Sequence, residues 1–456
     1  MMDNIVEKQH NFFREGQSRD VDFRKKQLRK LKNIFQQHEQ EIFDALHADF
    51  KKPVFETYET ELLLIYQEID HFIKHLSGWA KPQKVSDSII NFPSKNYIHS
   101  QPYGVSLIIG AWNYPIQLTI APLLGSIAAG NCSILKPSEL APNSSSLLAG
   151  LINPNFDAGY LHVVEGDAEV TQSLLSQPLD HIFFTGSTRV GKIIMKGAAE
   201  QLTPVTLELG GKSPTIIDQT ADLPLAAKRI AWGKFINAGQ TCVSPDYVYL
   251  HESLENQFCE LMAQQINEFY GDDPSKSPDF ARILNRKHFE RLQNLIDPEK
   301  VRIGGQTNPD DRYIAPTVMT DISWDDAVMQ EEIFGPVLPI LTYDKLDEAI
   351  TTIRSKPKPL ALYLFSTDSS TQERIIKEIP FGGGCINDTV THLGNMDLPF
   401  GGVGQSGFGS YHGKQSFDTF SHQKSVMKKA NWLDIPMRYP PYSGKLKWLK
   451  RLTKFL

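Results

Sequence analysis

The sequence has few cysteines and no excess of positive charge. Its 456 residues contain only 4 cysteines, and these are scattered along the chain: Cys132, Cys242, Cys259 and Cys385. No pair has the spacing of a metal site or a redox motif, and so few cysteines do not form a disulfide framework. We therefore expect a reducing, cytoplasmic setting. A formal net charge of -6 provides no field that would attract nucleic acid.

Long apolar segments are also missing. No apolar run approaches the roughly 18 residues that a membrane-spanning helix needs, and residues 1–30 lack the apolar core of a signal peptide. The hydrophobic content of 41% and the charged content of 22% are typical of a soluble globular protein with a large core. The length predicts two or three domains.

Residues 445–456, KLKWLKRLTKFL, form a local basic exception. A helix here would carry its apolar side chains on one face: Trp448, Leu449, Leu452, Phe455 and Leu456. Its basic side chains would occupy the other side: Lys447, Lys450, Arg451 and Lys454. Such a helix can lie on an anionic membrane surface but is too short to span it. The alternative is a terminal helix that docks on its own protein or on a dimer partner.

Short apolar strands alternate with helices from Val105 onward. Strands are predicted at 105–109, 161–164 and 181–184, and helices at 116–130, 144–151 and 170–175. A second alternating series begins at Ser213. This alternation indicates βαβ units and parallel sheets buried on both faces, which is an α/β fold.

The strand 181–184 runs into Gly186, Ser187 and Gly191, before a helix predicted at 192–201. A strand, a glycine turn and a helix bring a helix N-terminus against a pyrophosphate. The spacing is G-x-x-x-x-G, however, without the ending of a Walker A loop. A plain strand-to-helix turn is the alternative.

A carboxylate, Glu208, ends the next apolar strand, between Leu207 and Leu209 and before two glycines. Such a group is poorly solvated, so we expect its pKa to be raised, as suits a general base near neutral pH. A salt-bridged glutamate is the alternative.

Cys242 lies in the stretch 237–246, between a helix predicted at 222–236 and a strand at 247–250. A thiol in a loop with Gly239 before it and Pro245 after it is a candidate nucleophile. The alternative is that Cys242 is a small buried hydrophobe.

These pieces stand together with further motifs in a fixed order. The six stretches are 112–115 (WNYP), 136–139 (KPSE), 184–187 (FTGS), 207–211 (LELGG), 239–242 (GQTC) and 331–336 (EEIFGP). In this order they resemble the NAD(P)-dependent aldehyde dehydrogenase superfamily from about residue 20 to about residue 440. The stretches 240–247, 399–407 and 411–413 are similar to its class 3, fatty-aldehyde-type branch.

The resemblance implies a mechanism and a set of roles. Cys242 would attack the aldehyde as a thiolate, so its surroundings would favour ionisation. The Asn113 side chain would stabilise the oxyanion, and Glu208 would activate the water that hydrolyses the thioester. NAD or NADP would lie along a further set of residues: Lys136, Glu139, Gly186, Ser187, Gly191, Glu332 and Phe334. No metal site is expected.

The resemblance also implies a homodimer that accepts medium- to long-chain aliphatic or aromatic aldehydes. It implies a Rossmann-type dinucleotide domain (1–210), an α/β catalytic domain (211–400) and a return to the first domain with the basic tail (401–456). A small β oligomerisation element would combine strands near 95–102 and 416–428. Two alternatives stay open: an acylating enzyme that passes the thioester to coenzyme A or phosphate, and an inactive relative that serves as a binding protein.

Overall fold

The computed structural model describes residues 2–88 and 91–452. Its α-helices are α1 (Met2–Glu15), α2 (Val21–Gln37), α3 (Glu39–Phe50), α4 (Val54–Thr57), α5 (Leu63–Trp79), α6 (Gln117–Ala129), α7 (Pro142–Ile152), α8 (Ala168–Leu175), α9 (Thr188–Ala199), α10 (Leu223–Phe235), α11 (Glu255–Tyr270), α12 (Arg286–Gln293), α13 (Ala327–Gln330), α14 (Leu346–Ser355), α15 (Ser369–Glu378), α16 (Gly413–Thr419) and α17 (Lys445–Leu452). The tail residues Lys454, Phe455 and Leu456 lie outside the described residues.

The β-strands are β1 (Gln83–Val85), β2 (Ser94–Pro102), β3 (Val105–Ile109), β4 (Cys132–Lys136), β5 (Leu161–Val163), β6 (His181–Thr185), β7 (Val205–Glu208), β8 (Pro214–Ile217), β9 (Tyr247–His251), β10 (Val301–Ile303), β11 (Thr307–Asn308), β12 (Tyr313–Ile314), β13 (Thr317–Met319), β14 (Val337–Tyr343), β15 (Ala361–Phe365), β16 (Gly383–Ile386), β17 (Gly407–Phe408) and β18 (Ser421–Lys429). No helix within residues 2–88 or 91–452 is both long enough and apolar enough to cross a membrane.

A six-stranded sheet has the order β17-β7-β6-β3-β4-β5. Strands β3 to β7 are parallel to their neighbours, and β17 joins one edge in the antiparallel direction. The strand order reverses between β3 and β6, as in doubly wound dinucleotide-binding folds. Ligands bind such sheets at the carboxyl ends of the strands beside the reversal. The segments that follow β3 and β6 therefore border a binding crevice.

A seven-stranded sheet has the order β10-β13-β14-β9-β8-β15-β16, in which only the edge strand β10 is antiparallel. Residues in β3, β4 and β6 are buried along their whole length, as are those of β8 and β15. Continuous burial fits apolar strands that are covered by helices on both faces. The six-stranded sheet lies in one hydrophobic cluster and most of the seven-stranded sheet in another, while Ala361 and Tyr363 of β15 belong to the first. The predicted α/β architecture is confirmed.

A third sheet, β1-β2-β18, is antiparallel and stands apart from the other two. Its longest pairing joins β18 to β2 from Ser421↔Pro102 to Lys429↔Ser94. The strand predicted near 95–102 is present as β2. The strand predicted near 416–428 begins only at Ser421, because residues 413–419 form α16. The oligomerisation role of this sheet stays a prediction.

The helix predicted at 192–201 begins earlier, as α9 at Thr188. Ser187 lies in extended conformation before it and accepts a hydrogen bond from Val190 N–H at 3.4 Å, which makes Ser187 the N-cap. The glycine turn is therefore shorter than its sequence indicated, and the helix N-terminus lies next to Gly186. The predicted domain boundaries near residues 210 and 400 stay a prediction.

Candidate active site

A cavity of about 1330 Å³ lies between the two large sheets. On one side its walls include residues at the carboxyl ends of β4, β6 and β7, and on the other they include Pro214 and Tyr247, which begin β8 and β9. The lining contains most of the residues predicted from the sequence: Asn113, Lys136, Glu139, Gly186, Ser187, Glu208, Cys242, Glu332 and Phe334. The proposed nucleophile, base and cofactor residues thus share one cavity.

The loop that carries Cys242 begins where α10 ends. Asn237, Ala238 and Gly239 follow with φ angles of 52°, 50° and 73°, all in the left-handed region. A Cβ atom at Gly239 would lie 2.3 Å from the carbonyl oxygen of Gly335, so only glycine fits this close approach. These residues interrupt the helical conformation after α10, and Cys242 follows them at the cavity wall.

The thiol of Cys242 is not ionised by its surroundings. Burial raises its pKa to about 12, and the carboxylates of Glu332 and Glu208 add to the rise. The expectation that the surroundings favour the thiolate is therefore wrong for the protein alone. The physical reason is the burial of the thiol, together with two carboxylates from other segments, and the sequence motif encodes neither. A base must remove the thiol proton.

The side chain of Asn113 lies in the loop after β3 and is 3% exposed. Its Nδ2 donates to the carbonyl oxygen of Gln240 at 3.0 Å, and its own backbone carbonyl accepts from Nδ2 of Asn237 at 2.9 Å. An amide nitrogen carries two hydrogens, so one N–H holds the side chain to the Cys242 loop while the other is available for a ligand.

Glu208 ends β7 and is 2% exposed. Neither of its carboxylate oxygens has a hydrogen-bond partner among the described residues. Burial therefore raises its pKa well above the ordinary value. The predicted direction of this shift is confirmed. Within the described part of the chain Glu208 forms no salt bridge, since both of its carboxylate oxygens lack a partner. An unpartnered carboxyl at the cavity wall is a group that can exchange a proton with a ligand or with water.

Glu332 approaches the same region from the segment before β14. Burial raises its pKa to about 8, and its Oε1 has no partner within residues 2–88 and 91–452. A Cβ atom at Gly210 would lie 2.0 Å from Oε2 of Glu332. Gly210 therefore leaves the room that this carboxylate occupies.

Several residues along the cavity fit a dinucleotide. The N-terminus of α9 at Ser187 provides backbone N–H groups for an anion. The side chain of Lys136 is nearly fully buried, and its Nζ lies 3.4 Å from Oε2 of Glu139. Phe334 packs edge-on against Trp112 with ring centroids 5.1 Å apart. Carboxylates suited to ribose hydroxyls and a helix N-terminus suited to phosphate thus line one crevice.

Gly191 has a different position from the one expected. It is buried within α9, and a Cβ atom there would lie 2.7 Å from Cδ2 of Leu209. It is not among the cavity-lining residues. Gly191 therefore allows α9 to pack closely on the end of β7 and its following segment, instead of facing a ligand.

The sequence did not single out several lining residues, among them His288, Arg291, Phe400 and Tyr411. Phe400 and Tyr411 lie in the stretches 399–407 and 411–413, which carried the class 3 resemblance but gave neither residue a role in the site. Within residues 2–88 and 91–452, His, Cys, Asp and Glu side chains form no group of three or more that could hold a metal ion.

Comparisons with known proteins identify the family of the chain. The model of the aldehyde dehydrogenase family matches residues 1–426. The chain is 49% identical over 457 residues to the 4,4'-diaponeurosporen-aldehyde dehydrogenase of Staphylococcus aureus, with 99% of this chain and 100% of that protein covered. It is 46% identical over 461 residues to the aldehyde dehydrogenase family 3 member A2 of Pongo abelii, with 99% and 95% covered.

A solved structure of the substrate-bound state of Staphylococcus aureus AldH superposes with a TM-score of 0.97 at 48% identity, and 99% of each chain is covered. Enzymes of this family are oxidoreductases that use NAD or NADP. The family match over nearly the whole chain and the similarity to family 3 relatives agree with the motifs in the sequence. The chain therefore belongs to the aldehyde dehydrogenase family, in its class 3 branch, and is an NAD(P)-dependent aldehyde dehydrogenase.

Proposed function

We propose that the enzyme oxidises medium- to long-chain aliphatic or aromatic aldehydes to carboxylic acids through an acyl group carried on Cys242. The observation that carries this proposal is the presence of three groups at one cavity: the thiol of Cys242, the Asn113 amide and the unpartnered carboxyl of Glu208. Trp112, Phe400 and Tyr411 line the same cavity and favour an apolar substrate. The Staphylococcus aureus relative is itself named for an aldehyde.

In the first step the sulfur of Cys242 bonds to the aldehyde carbon. Because its pKa is raised to about 12, the thiol gives up its proton as it attacks, and Glu208 receives that proton. The oxygen of the adduct gains negative charge. It accepts hydrogen bonds from the second N–H of the Asn113 side chain and from the backbone N–H of Cys242. Donors aimed at a developing oxyanion lower the barrier because they need no reorganisation.

When bound, the nicotinamide accepts the hydride of the aldehyde carbon. The residues of this chain that would hold it line the crevice. The N-terminus of α9, next to Gly186 and Ser187, would bind the phosphates, and Lys136 and Glu139 would bind the adenosine ribose. Glu332 would accept a hydrogen bond from the nicotinamide ribose, and Phe334 would pack beside the ring. A Glu139 carboxylate that faces the adenosine ribose would repel a 2′-phosphate. In that case Glu139→Gln should raise kcat/KM for NADP relative to NAD.

Glu208 releases the thiol proton to solvent before the last step, in which it removes a proton from the water that attacks the thioester. An acyl-enzyme needs such a base for hydrolysis. Transfer of the acyl group to coenzyme A or phosphate would need no base to activate water, so only hydrolysis uses Glu208 in the last step. The product therefore distinguishes the two acceptors: we expect free carboxylic acid at the same rate with and without coenzyme A, whereas a rate that requires coenzyme A contradicts hydrolysis.

The function is tested by following reduced cofactor with aldehydes of increasing chain length. Wild type should reduce cofactor, and Cys242→Ala should not. Cys259→Ala is a matched control, because Cys259 is buried in α11 and does not line the cavity. Activity that survives in Cys242→Ala would contradict the proposal. No activity of wild type with short, long or aromatic aldehydes would favour a binding protein instead.

We propose a homodimer. Within the described residues β18 pairs only with β2, and β16 pairs only with β15, so each strand leaves one edge of backbone groups without a strand partner. Open edges of this length are normally covered. Light scattering should give twice the chain mass of 51.4 kDa. A monomer would contradict the proposal.

We also propose that the enzyme is cytoplasmic and that α17 contacts the membrane surface. Leu446 is 61% and Trp448 63% exposed, next to Lys445 and Lys447. Apolar side chains with flanking lysines favour anionic lipid. The wild type should co-sediment with vesicles that carry anionic headgroups, and Trp448→Ala should not. Neither protein should co-sediment with neutral vesicles. If the wild type stays in the supernatant with both kinds of vesicle, α17 docks on the protein itself or on the dimer partner instead.

A further inference from the structure

A lysine and a glutamate are buried behind the active site. Nζ of Lys52 lies 2.9 Å from Oε1 of Glu61, and both side chains are 0% exposed. Taking two charges out of water is unfavourable unless their remaining hydrogen-bonding groups are satisfied. A buried ion pair is therefore poor support for stability by itself, and its contacts indicate what else it does.

Glu61 lies in an irregular part of a helix. Residues 54–79 form a continuous helical run in which Tyr58–Leu62 is π-helical, between α4 and α5. A π segment inserts a residue into the turn and is frequent at functional sites. In this segment Glu61 and Leu62 are both buried. The irregular turn thus directs a carboxylate into the protein.

The second oxygen of Glu61 holds the start of α6. Oε2 accepts hydrogen bonds from the backbone N–H of Ile116 at 2.9 Å and of Gln117 at 3.2 Å. The first N–H groups of a helix lack partners within the helix, and a carboxylate near them is favoured by the helix dipole. The segment 112–115, which contains Asn113, is therefore fixed between the end of β3 and this contact.

The same N-terminal segment also holds the loop of the nucleophile. Nζ of Lys52 lies over the ring of Tyr114, 4.1 Å from its centroid, and the Tyr114 hydroxyl is 2.6 Å from Oγ1 of Thr241. Glu56 accepts the backbone N–H of Asn237 at 2.8 Å. Residues 52–61 thus contact both loops that form the oxyanion site.

We infer that Lys52 and Glu61 are positioning residues that set the Asn113 amide relative to the sulfur of Cys242. They touch no reacting atom; they act through the start of α6 and through Tyr114. The inference rests on the proposed function, since it assumes that Asn113 and the backbone of Cys242 receive an oxyanion. A small displacement of the Asn113 amide would weaken that contact while the thiol itself stayed intact.

The test compares two reactions of Cys242 that need no nucleotide. An activated ester, p-nitrophenyl acetate, acylates the thiol through an oxyanion, whereas iodoacetamide alkylates the same thiol without one. The double variant Lys52→Met/Glu61→Leu removes both buried charges and the acceptor of the two α6 N–H groups, and it keeps similar volumes. We expect its acylation rate to fall about 10- to 100-fold, because misplaced groups lose much of their effect. Its alkylation rate and its binding of NAD should stay near those of wild type.

Two further variants separate positioning from folding. Arg24→Met is the matched control, because Arg24 Nη1 holds the other end of α6 through the carbonyl of Ala128 at 3.0 Å. It should lower the melting temperature without changing the ratio of acylation to alkylation. Glu61→Gln alone keeps an oxygen that can accept from the backbone N–H groups of Ile116 and Gln117. It should therefore retain a larger ratio of acylation to alkylation than Glu61→Ala.

Each outcome decides the inference. An unchanged ratio of acylation to alkylation in the double variant overturns it, as does an equal fall of both rates. If the double variant does not fold, Tyr114→Phe and Thr241→Val each remove the hydrogen bond between Tyr114 and Thr241. An unchanged ratio of acylation to alkylation in both of these variants overturns the inference. Failure of the proposed function is distinct: wild type would then reduce no cofactor with aldehyde, whereas here wild type is active and only the variants decide.

Discussion

The side-chain amide of Asn113 donates a hydrogen bond to the backbone carbonyl of Gln240, 3.0 Å away. This bond joins the loop after β3 to the loop of Cys242, although the two lie more than a hundred residues apart in sequence. The proposed oxyanion donor and the loop of the proposed nucleophile are therefore joined within the protein alone. Preorganisation of this kind is what makes a hydrogen-bond donor effective in catalysis.

Asn113→Ala should lower kcat by about 100- to 1000-fold, because one donor to the oxyanion is lost. Steady-state kinetics with a saturating aldehyde would measure the fall, and isothermal titration should give nearly the same Kd for NAD. A variant that loses NAD binding along with kcat would place Asn113 in the cofactor site instead.

Glu208→Gln should separate the two halves of the reaction. Gln cannot take a proton from water, so the thioester should accumulate after cofactor reduction. Stopped-flow absorbance should show a burst of reduced cofactor followed by slow turnover. The opposite result, an unchanged steady-state rate, removes Glu208 from the mechanism.

Hydrolysis of the thioester should speed up as pH rises. Burial holds the pKa of Glu208 well above its ordinary value, so a larger part of the population is protonated at neutral pH than for an exposed glutamate. Only the deprotonated form acts as a base, and its share grows with pH. Single-turnover hydrolysis of a preformed acyl-enzyme would give this profile, and a rate that falls with pH over the same range contradicts the assignment.

Gly210→Ala should weaken cofactor binding. The added methyl group would lie 2.0 Å from Oε2 of Glu332 and would force that carboxylate away from its position. We expect KM for NAD to rise by about tenfold or more, the loss of one charged hydrogen bond. Gly150→Ala is the control. Gly150 lies in α7, and a Cβ atom there would meet no other atom within 4 Å. Equal kinetics of both variants would show that Glu332 does not bind the cofactor.

Much of the fold followed from local pattern. The strands at 105–109 and 247–250 and the helix before Cys242 lie where apolar periodicity and glycine turns predicted them. The raised pKa of Glu208 followed from its apolar neighbours in the strand, because a central strand end has little access to water.

The rest depends on contacts that no local pattern encodes. Gly191 is a packing position because Leu209 of another segment lies against it. The thiol of Cys242 is less acidic than its motif suggested because the fold buries it and places two carboxylates from distant segments near it. Lys52 and Glu61 look like ordinary surface charges in sequence, and only the fold encloses them behind Tyr114.

The central claim is that the substrate becomes attached to the sulfur of Cys242, and trapping that acyl group tests it most directly. Glu208→Gln would be mixed with aldehyde and NAD, quenched with acid during the burst, digested and analysed by mass spectrometry. The account predicts that the peptide with Cys242 carries the mass of the acyl group in proportion to the cofactor reduced. Reduced cofactor with an unmodified Cys242 peptide would contradict it.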